Sequence, residues 1–262
     1  MNVLWLYEIP TFALGLLIVS VFIVLSVAGL WLTRPWVRQH ASTYNDLAND
    51  YIAFVGVFYA LLVGLIAVAT WENYTGVEAI VSAEAAAVSD LHYDAAGYPP
   101  AVTDELRETL RWYVKGVIAE EWPEQRHGIE PTRHASGRLS QTILHFEPTT
   151  MGQQVVHAEC MRQVNEILTY RRLRLQAVDA GLPGLMWLVL LVGAAIAIGM
   201  TFFFWAESFR VHVLLTMALS AIIGLVIFVV FSLDRPLVGR MSVGPDNFEE
   251  VLSRVLEDRS GS

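Results

Sequence analysis

Hydrophobic residues along the chain are concentrated in four long runs that are separated by polar segments. The runs cover about Thr11–Leu32, Tyr51–Trp71, Gly184–Ala206 and Val211–Leu233, and nearly all of the charge lies outside them. A helix needs about 20 mostly apolar residues to cross the hydrocarbon core of a bilayer. We therefore predict four transmembrane helices, called spans one to four, arranged as two pairs.

The segment between the two pairs, residues 72–183, has an ordinary soluble composition with ten Lys and Arg and sixteen Asp and Glu. Apolar residues recur in it at helical spacing, and no run alternates with period two for long enough to be a strand. The periodicity predicts that span two continues past Trp71 as a helix to Leu91, that a second helix begins after Thr103 and ends at Pro123, and that a long helix covers 152–180. We predict an all-α protein.

Four segments follow from these patterns. They are a first transmembrane pair (1–71), a soluble α-helical insertion (72–183), a second transmembrane pair (184–233) and a short polar C-terminal tail (234–262).

The composition narrows the class of protein. Hydrophobic residues make up 55% of the 262 residues and charged residues 16%, whereas a soluble domain has about 25% charged residues. The net charge of -9 disfavours a nucleic-acid partner, and no nucleophile or phosphate-binding motif is present, so we do not expect an enzyme. His157 and Cys160 are soft metal-binding groups three residues apart, but a packed thiol and a surface imidazole are the commoner arrangement; we expect no cofactor and no metal.

Span two sorts its residues onto two stripes. Small residues recur every fourth position, and bulky residues do so two positions earlier, which places the stripes about 200° apart on a helix. The small stripe is Gly56, Ala60 and Gly64, a pattern that lets helices pack closely. The bulky stripe is Phe54, Phe58 and Leu62, which could line a narrow apolar pore; lipid contact is the more common role of such a stripe.

The arginines near the span ends predict the orientation, because cytoplasmic loops carry the excess of Lys and Arg. One side would carry Arg34, Arg38 and Arg210. The other would carry Arg171, Arg172, Arg174, Arg235 and Arg240. The larger set places both termini and the insertion in the cytoplasm. Arg171, Arg172 and Arg174 could also hold anionic lipid headgroups, although simple anchoring is the commoner role.

With this layout, the chain resembles the bestrophin-like membrane proteins of bacteria and plants, a family named for its similarity to bestrophin anion channels. The residues that carry the resemblance lie after span two, in the insertion and after span four. They are Glu84, Glu121, Trp122, Pro123, Asp234, Arg235, Pro236 and Gly239.

The resemblance implies a homo-oligomer, a pentamer in bestrophins, around one pore lined by span two, in the bacterial inner membrane. It implies small inorganic ions as the transported species, with Phe54, Phe58 and Leu62 at the neck. It also points to Asp246, Glu249 and Glu250 as weak candidates for a calcium clasp, although calcium takes 6 to 8 oxygen ligands and the acidic run is thin.

Two hypotheses follow from the sequence. The first is an oligomeric, anion-conducting channel. The second is a non-conducting membrane scaffold or sensor whose cytoplasmic helices bind a partner protein, since the insertion is large and the spans carry almost no charge.

Overall fold

The computed structural model describes residues 4–131, 135–203 and 208–256, apart from the side chains of 39–50 and of a few residues at the edges of these ranges. Helices cover most of the described residues, and no strand occurs among them. The prediction of an all-α protein is confirmed.

Eight α-helices follow in chain order. They are α1 (Thr11–Asp94), α2 (Pro100–Gly116), α3 (Trp122–Arg126), α4 (Ala135–Leu144), α5 (Met151–Gln176), α6 (Gly184–Thr201), α7 (Phe209–Asp234) and α8 (Asp246–Val251). Short 3₁₀ turns cover Leu4–Glu8 and Ala95–Gly97, and π-helical turns cover Val117–Glu121 and Leu252–Leu256. The chain divides into two compact units, the membrane unit (Met1–Asn73 and Gly181–Asp234) and the insertion unit (Tyr74–Ala180 and Arg235–Ser262).

Four helical segments are long and apolar enough to cross a membrane, as predicted. They are Thr11–Arg38, Tyr51–Gly97, Gly184–Thr201 and Phe209–Asp234. The second is 47 residues long because span two continues into the insertion as one helix. We treat Tyr51–Trp71 as its spanning part, since five acidic residues follow. The predicted end of span three, Ala206, lies outside the described residues.

Helix α1 contains two membrane-spanning arms, Thr11–Arg38 and Tyr51–Trp71. Both arms pack against the α6–α7 hairpin. The ring of Phe228 covers Gly15 and the ring of Phe202 covers Gly29 on the first arm, while Tyr59 of the second arm covers Gly193. A straight helix would separate Gly15 from Tyr59 by about 66 Å. The helical chain therefore doubles back between the two arms, and spans one and two lie side by side against spans three and four.

The insertion unit has its own apolar core. Successive turns of α1, α2, α4 and α5 bury valine, leucine and isoleucine side chains in one cluster, which includes Val81, Leu110, Leu139 and Ile167. The predicted helix ends need two corrections. Helix α2 begins at Pro100, where Pro suits a first turn. Thr103 therefore lies within that first turn, and its hydroxyl donates to the carbonyl of Ala95 at 2.8 Å.

Pro123 does not end the second helical stretch. A π-helical turn, Val117–Glu121, follows α2, and Pro123 is the second residue of α3, which continues directly from that turn. The chain then stays helical to Arg126.

The segment after span four packs into the insertion unit, although its composition resembles a polar tail. Leu237, Val243, Phe248 and Val251 are buried in the same core as α2 and α5. The backbone N–H of Val243 donates to the carbonyl of Pro236 at 2.7 Å and closes a turn before α8.

Candidate functional site

Span two presents three faces: a bulky flank, a buried face and a small flank. The consecutive residues Phe58, Tyr59 and Ala60 lie one on each, in that order. The face of Tyr59, Val63 and Ile66 is buried in the core of the membrane unit. The Tyr59 hydroxyl donates to the carbonyl of Leu190 at 3.2 Å. Because each residue turns the helix by about 100°, Phe58 and Ala60 lie on opposite flanks of this buried face.

The bulky flank is open in the single chain. Phe54 is 62% exposed and Phe58 is 58% exposed, and their ring centroids lie 4.6 Å apart. Leu62, the third member of the predicted stripe, is half-buried and packs against the core of the membrane unit. Its neighbours Leu61 and Leu65 are exposed instead. The exposed bulky surface therefore follows Phe54, Phe58, Leu61 and Leu65.

The small flank is open as well. Gly56, Ala60 and Gly64 are exposed, and nothing in the described part of the chain lies within 4 Å of a Cβ built at Gly56 or Gly64. Close packing of this stripe therefore requires a neighbour other than the helices described here. Only 17% of the most apolar stretch of span two is buried by its own chain, against 33% for span four.

The insertion unit holds a buried ion-pair cluster, which consists of Glu84, Tyr113, Glu121, Arg171 and Arg174. Arg174 is fully buried and donates from Nε and Nη2 to the two oxygens of Glu84, at 2.7 and 3.0 Å. Its Nη2 also donates to Glu121 at 2.9 Å. Arg171 donates to the other Glu121 oxygen at 2.7 Å. Two carboxylates thus face two guanidinium groups, and the cluster is neutral.

The electrostatics of the cluster follow from its burial. The Tyr113 hydroxyl donates to Glu84 at 2.6 Å; burial and then the charge of Glu84 raise the pKa of Tyr113 well above its ordinary value. Burial alone would lower the pKa of Arg174, but the negative charges of Glu84 and Glu121 outweigh it and raise that pKa. Arg174 therefore stays charged.

Trp122 and Phe248 enclose the same guanidinium. The Cζ atom of Arg174 lies 5.2 Å from the Trp122 ring centroid and 5.8 Å from that of Phe248, within range of cation–π attraction. The Trp122 indole donates to the carbonyl of Val243 at 3.2 Å. The segment after span four is thereby joined to the ion-pair cluster.

Sequence reasoning did not identify the roles of Arg171 and Arg174, which it assigned to anchoring at the membrane surface. Both are buried in ion pairs, and only Arg172 of the three is exposed. One signal was available in the sequence. Glu84 falls in the same helical register as the buried residues Val81 and Val88, so a carboxylate lies on a core face and needs a buried cation.

The motif residues after span four have separate structural roles. Asp234 accepts hydrogen bonds from the N–H of Leu182 at 2.6 Å and, at 3.4 Å each, from Trp187 and Tyr7. The Arg235 carbonyl accepts the N–H of Val238 at 3.1 Å. Gly239 has φ 81°, a conformation that favours glycine.

The calcium-clasp candidates Asp246, Glu249 and Glu250 lie on α8. Glu250 pairs with Arg254 at 2.6 Å, and Glu249 and Asp246 are exposed on α8. Nowhere in the described residues do three His, Cys, Asp or Glu side chains group as metal ligands. Cys160 is buried, and burial raises the pKa of its thiol to about 11. His157 accepts or donates a hydrogen bond with the Tyr98 hydroxyl at 3.0 Å.

Comparisons with known proteins agree with this architecture. The Bestrophin-like domain matches residues 20–248. A bacterial bestrophin homologue from Klebsiella pneumoniae, in crystal structures of two single-substitution variants, superposes with a TM-score of 0.65 at 10% identity and covers 95% and 93% of this chain. Each superposition includes 99% of the homologue. A further structure of that homologue gives a TM-score of 0.61 at 10% identity, over 92% of this chain and 96% of the other.

No curated protein matches the chain at a significant level. At these identities the structural likeness establishes the fold, and the domain match establishes the family. With four membrane-crossing helices and a Bestrophin-like domain over most of its length, this integral membrane protein belongs to the Bestrophin-like family.

Proposed function

We propose that the protein is an oligomeric ion channel in which span two lines the pore. The observation that carries the proposal is the exposed apolar surface of span two. Phe54, Phe58, Leu61 and Leu65 are each about 60% exposed, although this helix has three other spans beside it. A helix that lines a ring of subunits keeps such a surface free in the single chain.

The three faces of span two fit a ring. The Tyr59 face packs in the core of its own membrane unit. The small flank would pack on a neighbouring copy, and the bulky flank would face the axis of the ring. A pore lined by one helix per subunit requires several copies, and the resemblance implies five. Hydrophobic constrictions gate by dewetting, which is the role we assign to Phe54 and Phe58.

The resemblance implies that the permeant ion is an anion. One observation favours cations as a second candidate: the helix Tyr51–Gly97 contains no Lys or Arg and five acidic residues, one of which, Glu84, belongs to the ion-pair cluster. A path lined by carboxylates concentrates cations. The acidic residues are Glu72, Glu78, Glu84, Asp90 and Asp94.

Current through planar bilayers tests the proposal. The purified chain should conduct, and its reversal potential in a KCl gradient should lie near that of chloride for an anion pore or of potassium for a cation pore. Phe58→Ala should raise single-channel conductance because it removes an apolar ring from the path. Leu185→Ala, at a residue 70% exposed at the start of α6, should not.

The contrary result is specific. A silent bilayer together with a monomeric mass in detergent would exclude a channel and leave the scaffold hypothesis. The proposal also includes the cytoplasmic position of the termini and the insertion in a bacterial inner membrane. Accessibility of a cysteine introduced at exposed Ser253 would test that orientation.

A further inference from the structure

We propose that the insertion unit binds a small oxyanion, in the chemical class of phosphate, between the end of α1 and α2, through His92, Arg107 and Arg111. This site is independent of the proposed pore and of the ion-pair cluster.

The register between α1 and α2 brings these side chains together. The Thr103 hydroxyl donates to the carbonyl of Ala95 at 2.8 Å, and the Tyr113 hydroxyl donates to Glu84 at 2.6 Å. The two helices are therefore antiparallel. One turn back from Ala95 along α1 is His92, and one turn on from Thr103 along α2 is Arg107.

Two polar atoms where the end of α1 meets α2 are buried and have no hydrogen-bond partner in the described structure: Nδ1 of His92 and Nε of Arg107. A buried polar group without a partner is costly, and most such groups in folded proteins are satisfied by protein, water or ligand. Guanidinium Nε is always a donor, and imidazole Nδ1 is a donor in one tautomer. His92 and Arg107 therefore offer two donors from two different helices.

The local charge also favours an anion. Burial, and then the positive charges of Arg107 and Arg111, lower the pKa of His92. Arg111 lies one turn beyond Arg107 on α2, so the two guanidinium groups share a face. Asp104 and Glu108 are nearby on α2 and exposed, but no ion pair joins Arg107 to a described carboxylate.

The donors indicate the type of ligand. Guanidinium groups recognise oxyanions through directed N–H donors, and an imidazole adds a third donor at the side. The oxygens of a phosphate group are arranged tetrahedrally, so they can accept from three donors that approach from different directions, whereas the acceptor sites of a carboxylate lie in one plane. The group can be free phosphate or the headgroup of an acidic phospholipid, because both present the same oxygens.

Equilibrium binding of radiolabelled inorganic phosphate to the full chain in detergent, at constant ionic strength, tests the inference. Wild type should bind, chloride should compete poorly, and Arg107→Gln should weaken binding at least tenfold. Arg107→Lys should recover part of it, since it keeps the charge. Arg138→Gln, at an exposed arginine on α4, is the matched control and should leave binding unchanged.

His92→Gln is a second variant and should also weaken phosphate binding. The thermal midpoint of each variant in detergent is measured alongside, and a midpoint equal to that of wild type separates loss of the ligand from misfolding. Vesicles of phosphatidic acid, compared with phosphatidylcholine, distinguish the lipid source from the free one. If wild type binds inorganic phosphate or phosphatidic-acid vesicles and Arg107→Gln abolishes that binding, the result supports the site. Absence of phosphate and phosphatidic-acid binding by wild type, or binding that Arg107→Gln leaves intact, overturns it.

Discussion

A fully buried guanidinium is stable only where carboxylates meet its charge. Arg174→Gln should leave Glu84 and part of Glu121 uncompensated in the core of the insertion unit. We expect the free energy of unfolding to fall by about 3–5 kcal/mol, the cost of breaking one side of a buried pair. Denaturant unfolding in detergent, followed by Trp fluorescence, measures it.

Arg162→Gln is the control for that experiment. Arg162 pairs with Glu159 and Glu166 on the exposed side of α5, and solvent screens such pairs. Its unfolding midpoint should match wild type. A midpoint for Arg174→Gln equal to that of Arg162→Gln would contradict the importance of the buried cluster.

Two glycines in the insertion unit should respond in opposite ways to alanine. Gly239 has φ 81° and donates its N–H to the carbonyl of Arg126 at 3.0 Å, so Gly239→Ala should destabilise by about 1–2 kcal/mol. Gly137 lies inside helix α4 with open space around it, so Gly137→Ala should stabilise by about 0.5–1 kcal/mol. Thermal melts of both variants give the comparison, and a shift of the same sign in both would refute it.

At the scale of elements, Asp234 joins three of them within the membrane unit. It accepts from Leu182 before α6, from Trp187 within α6 and from Tyr7 of the N-terminal 3₁₀ turn. Asp234→Asn presents an NH₂ group to donors, so at least one of these bonds is lost. We expect a loss of about 1.5–3 kcal/mol, the value for bonds to a charged group.

Tyr7→Phe removes one of the two 3.4 Å contacts to Asp234 and keeps the stacking of residue 7 on Phe231 at 4.4 Å. It should therefore cost much less than Asp234→Asn. Equal losses would show that the aspartate acts through something other than these donors. Chemical denaturation of both variants in the same detergent decides between the two.

Some elements followed from the sequence closely. Span four was predicted as Val211–Leu233 and is found as Phe209–Asp234, because hydropathy depends on neighbouring residues alone. The helix after α2 was not predicted beyond Pro123. A proline is a stop signal inside a helix, and the π-helical turn Val117–Glu121, which lets the chain stay helical up to and past Pro123, has no sequence signature.

At the scale of the whole molecule, Cys160 is the single cysteine and reports unfolding of the insertion unit without any substitution. Its side chain is buried, and burial raises the pKa of its thiol to about 11. The thiolate is the reactive form, so maleimide should label the native chain very slowly at pH 7–8 and label denatured chain rapidly. Fast labelling of native protein would contradict this core.

The sequence alone determined that this is an all-α membrane protein with four spans and a helical insertion, because these properties depend on apolar periods within single segments. It also located Glu84 and Glu121 as motif residues. It could not pair them with Arg174, which is 90 positions from Glu84, since ion pairs between distant segments depend on how helices pack.

Only the tertiary structure decided which residues of span two are exposed on the surface of the single chain. Leu62 and Leu65 are equally apolar, yet one packs on the core of the membrane unit and the other is exposed. The two residues lie about 60° apart around the helix axis, and contacts such as Tyr59 against Gly193 determine which of them meets the neighbouring span. The sequence predicts that a helix has faces; packing against other helices determines where each face points.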